Sequence, residues 1–336
     1  MDRRKFIKSS VSTSVALGLG PYLLTSNAMD RVKDKTIGVI GLDTSHSVAF
    51  SKIINQATEG SPLSGFRITH AFPQGSADIE SSVSRIPGYT EDMKALGVTI
   101  SPSIESLLEN VDFVLLETND GRPHLAQAMK VFEAGKPVFI DKPVAASLED
   151  VIKIFAAAEK YNVPMFSCSS LRFSPTTQEA ASGNKIGKII GADTFSPSKL
   201  EPTHPDFYWY GIHGIESLFT LMGKGCKTVR RTAGNGMDVV VGEWADGRIG
   251  TFRGIREGHQ TYGGTAYGTT GVAAAGLYEG YEHLVVEIVK FFKSGIPPVS
   301  KEETLEIYAF MTAADISKAK GGKAVKIADV LKKAGA

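Results

Sequence analysis

The chain has 336 residues, which is enough for two domains with separate hydrophobic cores. Hydrophobic residues make up 42% and charged residues 22% of the chain, as is ordinary for a globular protein. The 37 basic and 36 acidic residues nearly cancel, so charge gives no reason to expect nucleic acid or an anionic membrane surface as a partner.

Residues 1–28 have the pattern of an export signal, which is not part of the fold. An Arg3-Arg4 pair opens a basic segment, and an apolar stretch from Val11 to Leu24 leads to small residues before position 28. This order resembles a twin-arginine signal peptide, although a cytosolic helix with a chance arginine pair is the alternative. The apolar stretch is shorter than the roughly 20 residues that span a bilayer, so we expect no permanent membrane anchor. We therefore predict a periplasmic or otherwise exported protein.

From residue 36 the chain alternates short β-branched runs with helical patterns. We predict strands at 36–40, 66–72, 111–116, 137–140 and 163–167, and helices at 45–58, 103–109, 123–134 and 148–161. Such alternation with short connections predicts an α/β domain with a doubly wound parallel sheet. In such a sheet, ligands bind beyond the carboxyl ends of the strands, so the residues that follow each strand are candidate site residues.

After residue 173 the pattern changes to short strands, at 188–196, 228–233, 239–244 and 248–254, with Asp246-Gly247 as a hairpin turn. Helices resume at 282–293 and 301–319. This half predicts a mostly antiparallel, open sheet, and we place a first domain at 35–170 and a second at 171–330. Whether Cys168 and Cys226 pair stays open, because the two thiols are far apart in sequence.

The strand-end residues carry a resemblance to a known family. Thr118-Asn119 with His124, Asp141-Lys142-Pro143 and Arg172-Phe173-x-Pro175 resemble motifs of the Gfo/Idh/MocA oxidoreductases in order and spacing. The resemblance extends from Lys35 to about Ile327. It implies a Rossmann domain that binds NAD or NADP, followed by an α+β domain with a large open sheet.

The resemblance also implies two catalytic residues. The lysine of the Asp141-Lys142-Pro143 motif is expected to contact the substrate hydroxyl and to support proton transfer. In the second domain, family members have a helix with an Asp-x-x-x-His-x-x-Asp pattern, which places His213 at the histidine and Trp209 and Glu216 at the acids. His213 is therefore our candidate general base or acid, with Glu216 or Tyr210 as its partner. A histidine in a packed core is the alternative.

The phosphate-binding loop departs from the G-x-G-x-x-G pattern. After Gly41 come Leu42-Asp43-Thr44-Ser45-His46, so only the first glycine is present. A carboxylate at Asp43 repels a pyrophosphate unless the side chain turns away and caps the helix, whereas Thr44 and Ser45 can donate hydrogen bonds. Three interpretations stay open: a working dinucleotide loop, a loop that binds something else or a catalytically retired domain, and a metal site at Asp43 and His46. Two residues do not complete a coordination shell, so we predict no metal.

The candidates for cofactor binding are residues at the strand ends and in the motifs above: Gly41, Leu42, Asp43, Thr44, Ser45, His46, Thr118, Asn119, His124, Asp141, Lys142 and Arg172. The second strand lacks an acidic residue for the adenosine ribose, so NAD and NADP both remain open. An exported enzyme has no soluble cofactor pool, so we expect its dinucleotide to be tightly bound and recycled in place.

The function implied is an NAD(P)-dependent oxidoreductase that transfers hydride between the bound cofactor and a hydroxyl of a sugar, polyol or glycoside. Two alternatives stay open: a non-catalytic carbohydrate-binding protein, and a glycoside-cleaving enzyme that works through a transient keto-sugar. An open sheet face in the second domain predicts a homodimer or homotetramer.

Overall fold

The computed structural model describes residues 34–336, so the predicted export signal lies outside the described residues. The strands are β1 (Lys35–Ile40), β2 (Phe66–Phe72), β3 (Thr99–Ile100), β4 (Phe113–Leu116), β5 (Val138–Ile140), β6 (Met165–Phe166), β7 (Ile189–Pro197), β8 (Cys226–Ala233), β9 (Met237–Trp244), β10 (Ile249–Ile255), β11 (Gly263–Gly268), β12 (Val272–Ala275) and β13 (Val325–Lys326). The helices are α1 (Ser45–Asn55), α2 (Glu80–Val83), α3 (Ile86–Ala95), α4 (Ile104–Leu108), α5 (His124–Glu133), α6 (Leu148–Tyr161), α7 (Pro175–Ser182), α8 (Asp206–Trp209), α9 (Ile212–Met222), α10 (Glu282–Ser294), α11 (Lys301–Ala319) and α12 (Ile327–Ala334).

The first sheet is the predicted doubly wound parallel sheet, and that prediction is confirmed. Its six strands lie in the order β3-β2-β1-β4-β5-β6, and every neighbouring pair is parallel. The chain moves outward in one direction from β1 and in the other from β4, so the topological switch point lies between these two strands. The loops that leave β1 and β4 there begin at Gly41 and Glu117.

Helices cover both faces of this sheet. One face packs against α1, α3 and α10, and the other against α4, α5 and α6. Helix α10 comes from late in the chain, yet its buried Leu284, Val285 and Ile288 share a core cluster with Phe50 of α1. The two halves of the sequence are therefore joined by a common core as well as by the chain connection.

The second sheet has the order β12-β11-β7-β10-β9-β8-β13 and is mostly antiparallel, as predicted. Strands β7 and β10 are the parallel pair within it. Helices α9 and α11 pack against one face, and nearly every residue of α9 is buried. The other face is open, with half-buried Val239 and Val241 beside exposed Met237 and Ile249.

Local capping explains which helix bounds were predictable. Ser147 accepts a hydrogen bond from the Asp150 N–H at the start of α6, and Ser300 accepts one from the Glu303 N–H at the start of α11. Both helices have the predicted bounds. The segment between β2 and β3 carries no clear periodicity, so α2 and α3 were not predicted.

Two further sequence expectations concern the cysteines and the membrane. Cys168 and Cys226 are both buried and free, so they do not form a disulfide. Within residues 34–336, no helix combines the length and the apolar character that crossing a bilayer requires.

Candidate active site

A cavity of about 220 Å³ lies beyond the carboxyl ends of β1, β4 and β5. The first domain contributes Thr44, Ser45, His46, Ser81, Arg85, Tyr89, Asn119 and Lys142, and the chain after residue 169 contributes Ser170, Leu171, Lys199, Trp209, Tyr210, His213, Tyr262, Tyr278 and Tyr281. Both predicted catalytic residues therefore line one cavity. This is the location that the topological switch point specifies.

Gly41 ends β1 in a conformation that requires glycine. Its φ is +101°, and a Cβ there would lie 2.3 Å from the Thr118 backbone nitrogen. The close contact brings the loops after β1 and β4 together at the switch point. Leu42, the next predicted contact residue, is fully buried in the core and does not line the cavity.

The Asp43 carboxylate turns away from the cavity. It accepts hydrogen bonds from the Asn119 N–H at 2.9 Å and from Ser82 Oγ at 2.8 Å. Burial raises the pKa of Asp43, while these two donors act in the opposite direction. The side chain does not cap α1, because Thr44 is the N-cap residue. The helix terminus therefore faces the cavity without the Asp43 carboxylate beside it.

The first turn of α1 offers an anion site. It contains no acidic residue, and Ser45 and His46 at its start line the cavity together with Arg85. The free N–H groups and the dipole at a helix N-terminus favour a phosphate group. On this geometry, the residues present fit the pyrophosphate of a dinucleotide despite the missing glycines.

Two residues of the motif after β4, Thr118 and His124, mainly hold the backbone of the loops after β4 and β5 in place. His124 is fully buried, with Nε2 2.7 Å from the Thr118 carbonyl oxygen and Nδ1 3.1 Å from that of Val144. Thr118 Oγ1 accepts a hydrogen bond from Gln127. Thr118 and His124 thus tie together the loops after β4 and β5, and Asn119 is the motif residue that lines the cavity.

Asp141 positions two residues of the cavity wall. Its Oδ2 lies 2.8 Å from His46 Nδ1 and 3.8 Å from Lys142 Nζ. Burial alone would raise the pKa of Asp141, but His46 and Lys142 outweigh it and hold the pKa below its usual value. The carboxylate is therefore charged, and it orients His46 and Lys142 without lining the cavity itself. The Lys142-Pro143 peptide bond is cis.

Glu117 is a buried acid that the sequence analysis missed. Its side chain is fully inaccessible, and neither carboxyl oxygen has a hydrogen-bond partner among the described residues. Burial raises its pKa well above 4.5, and the neighbouring charge of Asp141 raises it further. An acid directly after the apolar run Phe113–Leu116 was the signal that could have identified it.

His213 is held as a neutral imidazole. Its Nδ1 is hydrogen-bonded to Ser169 Oγ at 2.8 Å, and its ring packs edge-on against Tyr210 and Tyr262. Burial lowers its pKa well below 6.5, and the charges of Lys142 and His46 lower it further. Glu216, a predicted partner of His213, pairs with Arg172 instead, and Ser169 is the side chain that is hydrogen-bonded to His213.

Arg172, a predicted cofactor residue, is buried in an ion-pair network away from the cavity. Its Nε lies 2.5 Å from Glu216 Oε1, and its Nη2 lies 2.7 Å from Glu303 Oε1. Burial disfavours the charged form of Arg172, but the two carboxylates raise its pKa above the usual value. These contacts link the segment after β6 with α9 and α11, so the motif stabilises the fold at this position.

A second network joins the loop after β4 to the second domain. Arg122 forms ion pairs with Asp78 and Asp120, and His204 Nε2 lies 3.2 Å from Asp120 Oδ1 and 3.1 Å from the Gly121 nitrogen. Burial opposes the charge on Asp120, but His204 and Arg122 hold its pKa below the usual range. His204 thus connects the loop after β4 to the segment before α8.

Residues 35–168 match the Gfo/Idh/MocA family model, described as "Oxidoreductase family, NAD-binding Rossmann fold". The chain is 25% identical over 167 residues to the uncharacterized oxidoreductase YhhX of Escherichia coli strain K12, and 26% identical over 157 residues to an uncharacterized oxidoreductase of Streptococcus pneumoniae. These matches cover 46% and 42% of this chain, and the chain spans less than half the length of these relatives, 44% and 42%.

Solved structures share the complete fold. A probable dehydrogenase from Thermotoga maritima has a TM-score of 0.73 at 21% identity, covering 88% of this chain and 99% of that chain. The scyllo-inositol dehydrogenase from Lactobacillus casei, solved with NAD(H) and scyllo-inositol, has a TM-score of 0.70 at 15% identity, covering 88% and 100%. Residues 35–168 thus match a family model of NAD-binding Rossmann oxidoreductases, and the described chain shares the fold of these solved structures.

Proposed function

We propose that the protein is an NAD(P)-dependent oxidoreductase that acts on a hydroxyl group of a sugar or related polyol. One observation carries this proposal: Lys142 from the first domain and His213 from the second line the same cavity, next to the N-terminus of α1. The polyol dehydrogenase that shares this fold supports the substrate class.

The chain supplies groups for both parts of the ligand. The first turn of α1, the Ser45 hydroxyl and Arg85 would hold the pyrophosphate, while Asn119 lines the adjacent wall. The aromatic residues Trp209, Tyr210 and Tyr262 suit stacking against a sugar ring. A bound nicotinamide supplies the hydride acceptor or donor.

The protein's own residues handle the proton. Ser169 occupies His213 Nδ1, which leaves Nε2 to accept the proton of a substrate hydroxyl. The Lys142 ammonium, oriented by Asp141, stabilises the negative charge that develops on the same oxygen. A glycoside-cleaving enzyme with a transient keto-sugar would use these residues in the same way, whereas a simple binding protein needs no such pair.

An absorbance assay tests this proposal. We expect NAD or NADP to be reduced when the purified protein is offered a panel of polyols and sugars, with a signal at about 340 nm that depends on substrate. Because the pKa of His213 is lowered, its basic form persists below pH 6.5, so the acid limb of kcat/KM should lie below pH 6.5. Absence of reduction across the panel, with no oxidation of added NADH or NADPH by matching ketones, would contradict the proposal.

We also propose that the open face of the second sheet forms a homodimer or homotetramer interface. Val239, Val241 and Phe195 are half-buried on this face, with exposed Ile249 and Arg253 among them. A lysine at the centre should disrupt such a contact, so Val241→Lys should shift the assembly toward monomer in light scattering. The control is Ile296→Lys, at an exposed position after α10 and away from this sheet. A wild-type monomer would refute the interface.

The export of the protein remains a proposal. It is supported by the Arg3-Arg4 pair and the apolar stretch that follows, which lie outside the described residues. A transported, folded enzyme is expected to retain its dinucleotide and to recycle it between substrates.

A further inference from the structure

We infer that His46, Glu117 and Asp141 bind a divalent transition-metal ion at the floor of the cavity. One ligand atom from each residue lies within 4.8 Å of the other two, and all three residues are buried. His46 follows β1, Glu117 follows β4 and Asp141 follows β5. Metal binding by these three residues does not require hydride transfer. The site differs from the Asp43 and His46 pair considered from the sequence, because Asp43 is bound to Ser82 and Asn119 instead.

The spacing suits a coordination shell. His46 Nδ1 and Asp141 Oδ2 lie 2.8 Å apart. Neighbouring ligands with metal bonds of about 2.1 Å lie roughly 3 Å apart in an octahedral shell and somewhat farther apart in a tetrahedral one. Small side-chain rotations therefore bring these two atoms and a Glu117 oxygen onto one ion.

Buried carboxyl oxygens without hydrogen-bond partners are a second observation that indicates a bound ion. Both Glu117 carboxyl oxygens and Asp141 Oδ1 are buried and lack a hydrogen-bond partner among residues 34–336. A buried carboxylate without a partner is strongly destabilising, and natural proteins rarely keep one without a compensating group. Lys142 lies near Asp141 but makes no hydrogen bond with Glu117, so a cation between the two acids would give the Glu117 carboxyl group the partner that it lacks.

The donor set specifies the class of ion. One imidazole nitrogen with two carboxylates favours Zn²⁺, Mn²⁺, Fe²⁺ or Co²⁺ over Mg²⁺ and Ca²⁺, which prefer oxygen ligands alone. Three protein ligands leave at least one coordination position free. Of the three ligands, His46 lines the cavity, so a free position on its side of the ion would take a water molecule or a substrate oxygen.

Metal content of the full chain tests the site. Protein equilibrated with Zn²⁺, Mn²⁺ or Co²⁺ and then freed of loose ions should retain about one ion per chain, and Glu117→Gln should retain at most about a tenth of that. The matched control is Glu109→Gln, which changes an exposed acid at the end of α4 and should leave the bound ion unchanged.

Thermal unfolding distinguishes a lost ligand from a damaged fold. In EDTA, Glu117→Gln should melt close to the wild-type temperature, because it replaces one buried polar side chain without a hydrogen-bond partner by another of the same shape. Added Zn²⁺ should raise the melting temperature of wild type and Glu109→Gln but not that of Glu117→Gln. If Glu117→Gln does not fold, His46→Ala replaces it and should abolish the visible absorption of bound Co²⁺. Wild-type protein that retains no ion, or a Glu117→Gln protein that retains it, overturns the inference. Neither result affects the absorbance assay for hydride transfer.

Discussion

Replacement of Lys142 by methionine is expected to lower kcat by about 10²- to 10⁴-fold, which is the usual contribution of a positioned proton-transfer or charge-stabilising group. Methionine keeps the apolar stem that packs in the cavity wall, where the Lys142 side chain is only 7% exposed. The change removes the ammonium group that the Asp141 carboxylate orients. Binding of the dinucleotide, measured by quenching of intrinsic fluorescence, should change much less than kcat.

Two comparisons make the Lys142→Met result specific. Lys153→Met, on the exposed surface of α6, should leave kcat and KM unchanged because this lysine pairs only with Asp150. His213→Asn should reduce kcat by a similar factor and should also remove the acid limb of the pH profile. Full activity in Lys142→Met would show that the lysine is a structural residue and that the proposed mechanism is wrong.

Replacement of Arg172 by methionine should lower the free energy of unfolding by about 3–5 kcal/mol, the usual loss when one partner of a buried ion pair is removed. The change leaves Glu216 uncompensated in the core, where its side chain is 4% exposed. Thermal or urea unfolding measures this loss. The double change Arg172→Met with Glu216→Leu should recover much of the stability, because the more deeply buried carboxylate is then removed with its partner and the remaining Glu303 is partly exposed to solvent.

The same variant tests the role that the family resemblance implied for Arg172. Dinucleotide affinity, measured below the melting temperature, should be unchanged, because the guanidinium group contacts Glu216 and Glu303 and does not line the cavity. Lys94→Met, which breaks an exposed ion pair with Glu91, is the control and should cost at most about 1 kcal/mol. A selective loss of dinucleotide affinity in Arg172→Met would restore its predicted cofactor role.

Much of the fold was predictable because its signals are local. Strand β2 and helices α6 and α11 have the predicted bounds, since β-branched runs and serine caps lie within the segments themselves. The hairpin at Asp246-Gly247 followed in the same way, and Gly247 has the positive φ that its turn requires. The packing of α10 on the first sheet was not predictable, because its amphipathic pattern does not say which sheet it covers.

The sequence predicted which residues form the candidate site better than it predicted what each residue does there. Lys142, His213 and Asn119 line one cavity, as predicted. Each belongs to a sequence motif that lies at a strand end or on a central helix. The direction of the Asp43 carboxylate was not predictable, because it depends on Ser82 in a helix that lacks a sequence signal. Contacts between residues far apart in sequence decide such roles.

The most direct test of the central claim is to denature the purified mature protein and identify any released dinucleotide by mass spectrometry, with a titration of added NAD and NADP for protein that is empty. The N-terminus of α1 and Arg85 line the cavity, and the Asp43 carboxylate turns away from it. We therefore expect the protein either to release a stoichiometric amount of NAD or NADP or to bind one of them on titration. A protein that releases no dinucleotide and binds neither NAD nor NADP would contradict the claim and would favour a retired domain that binds carbohydrate without redox chemistry.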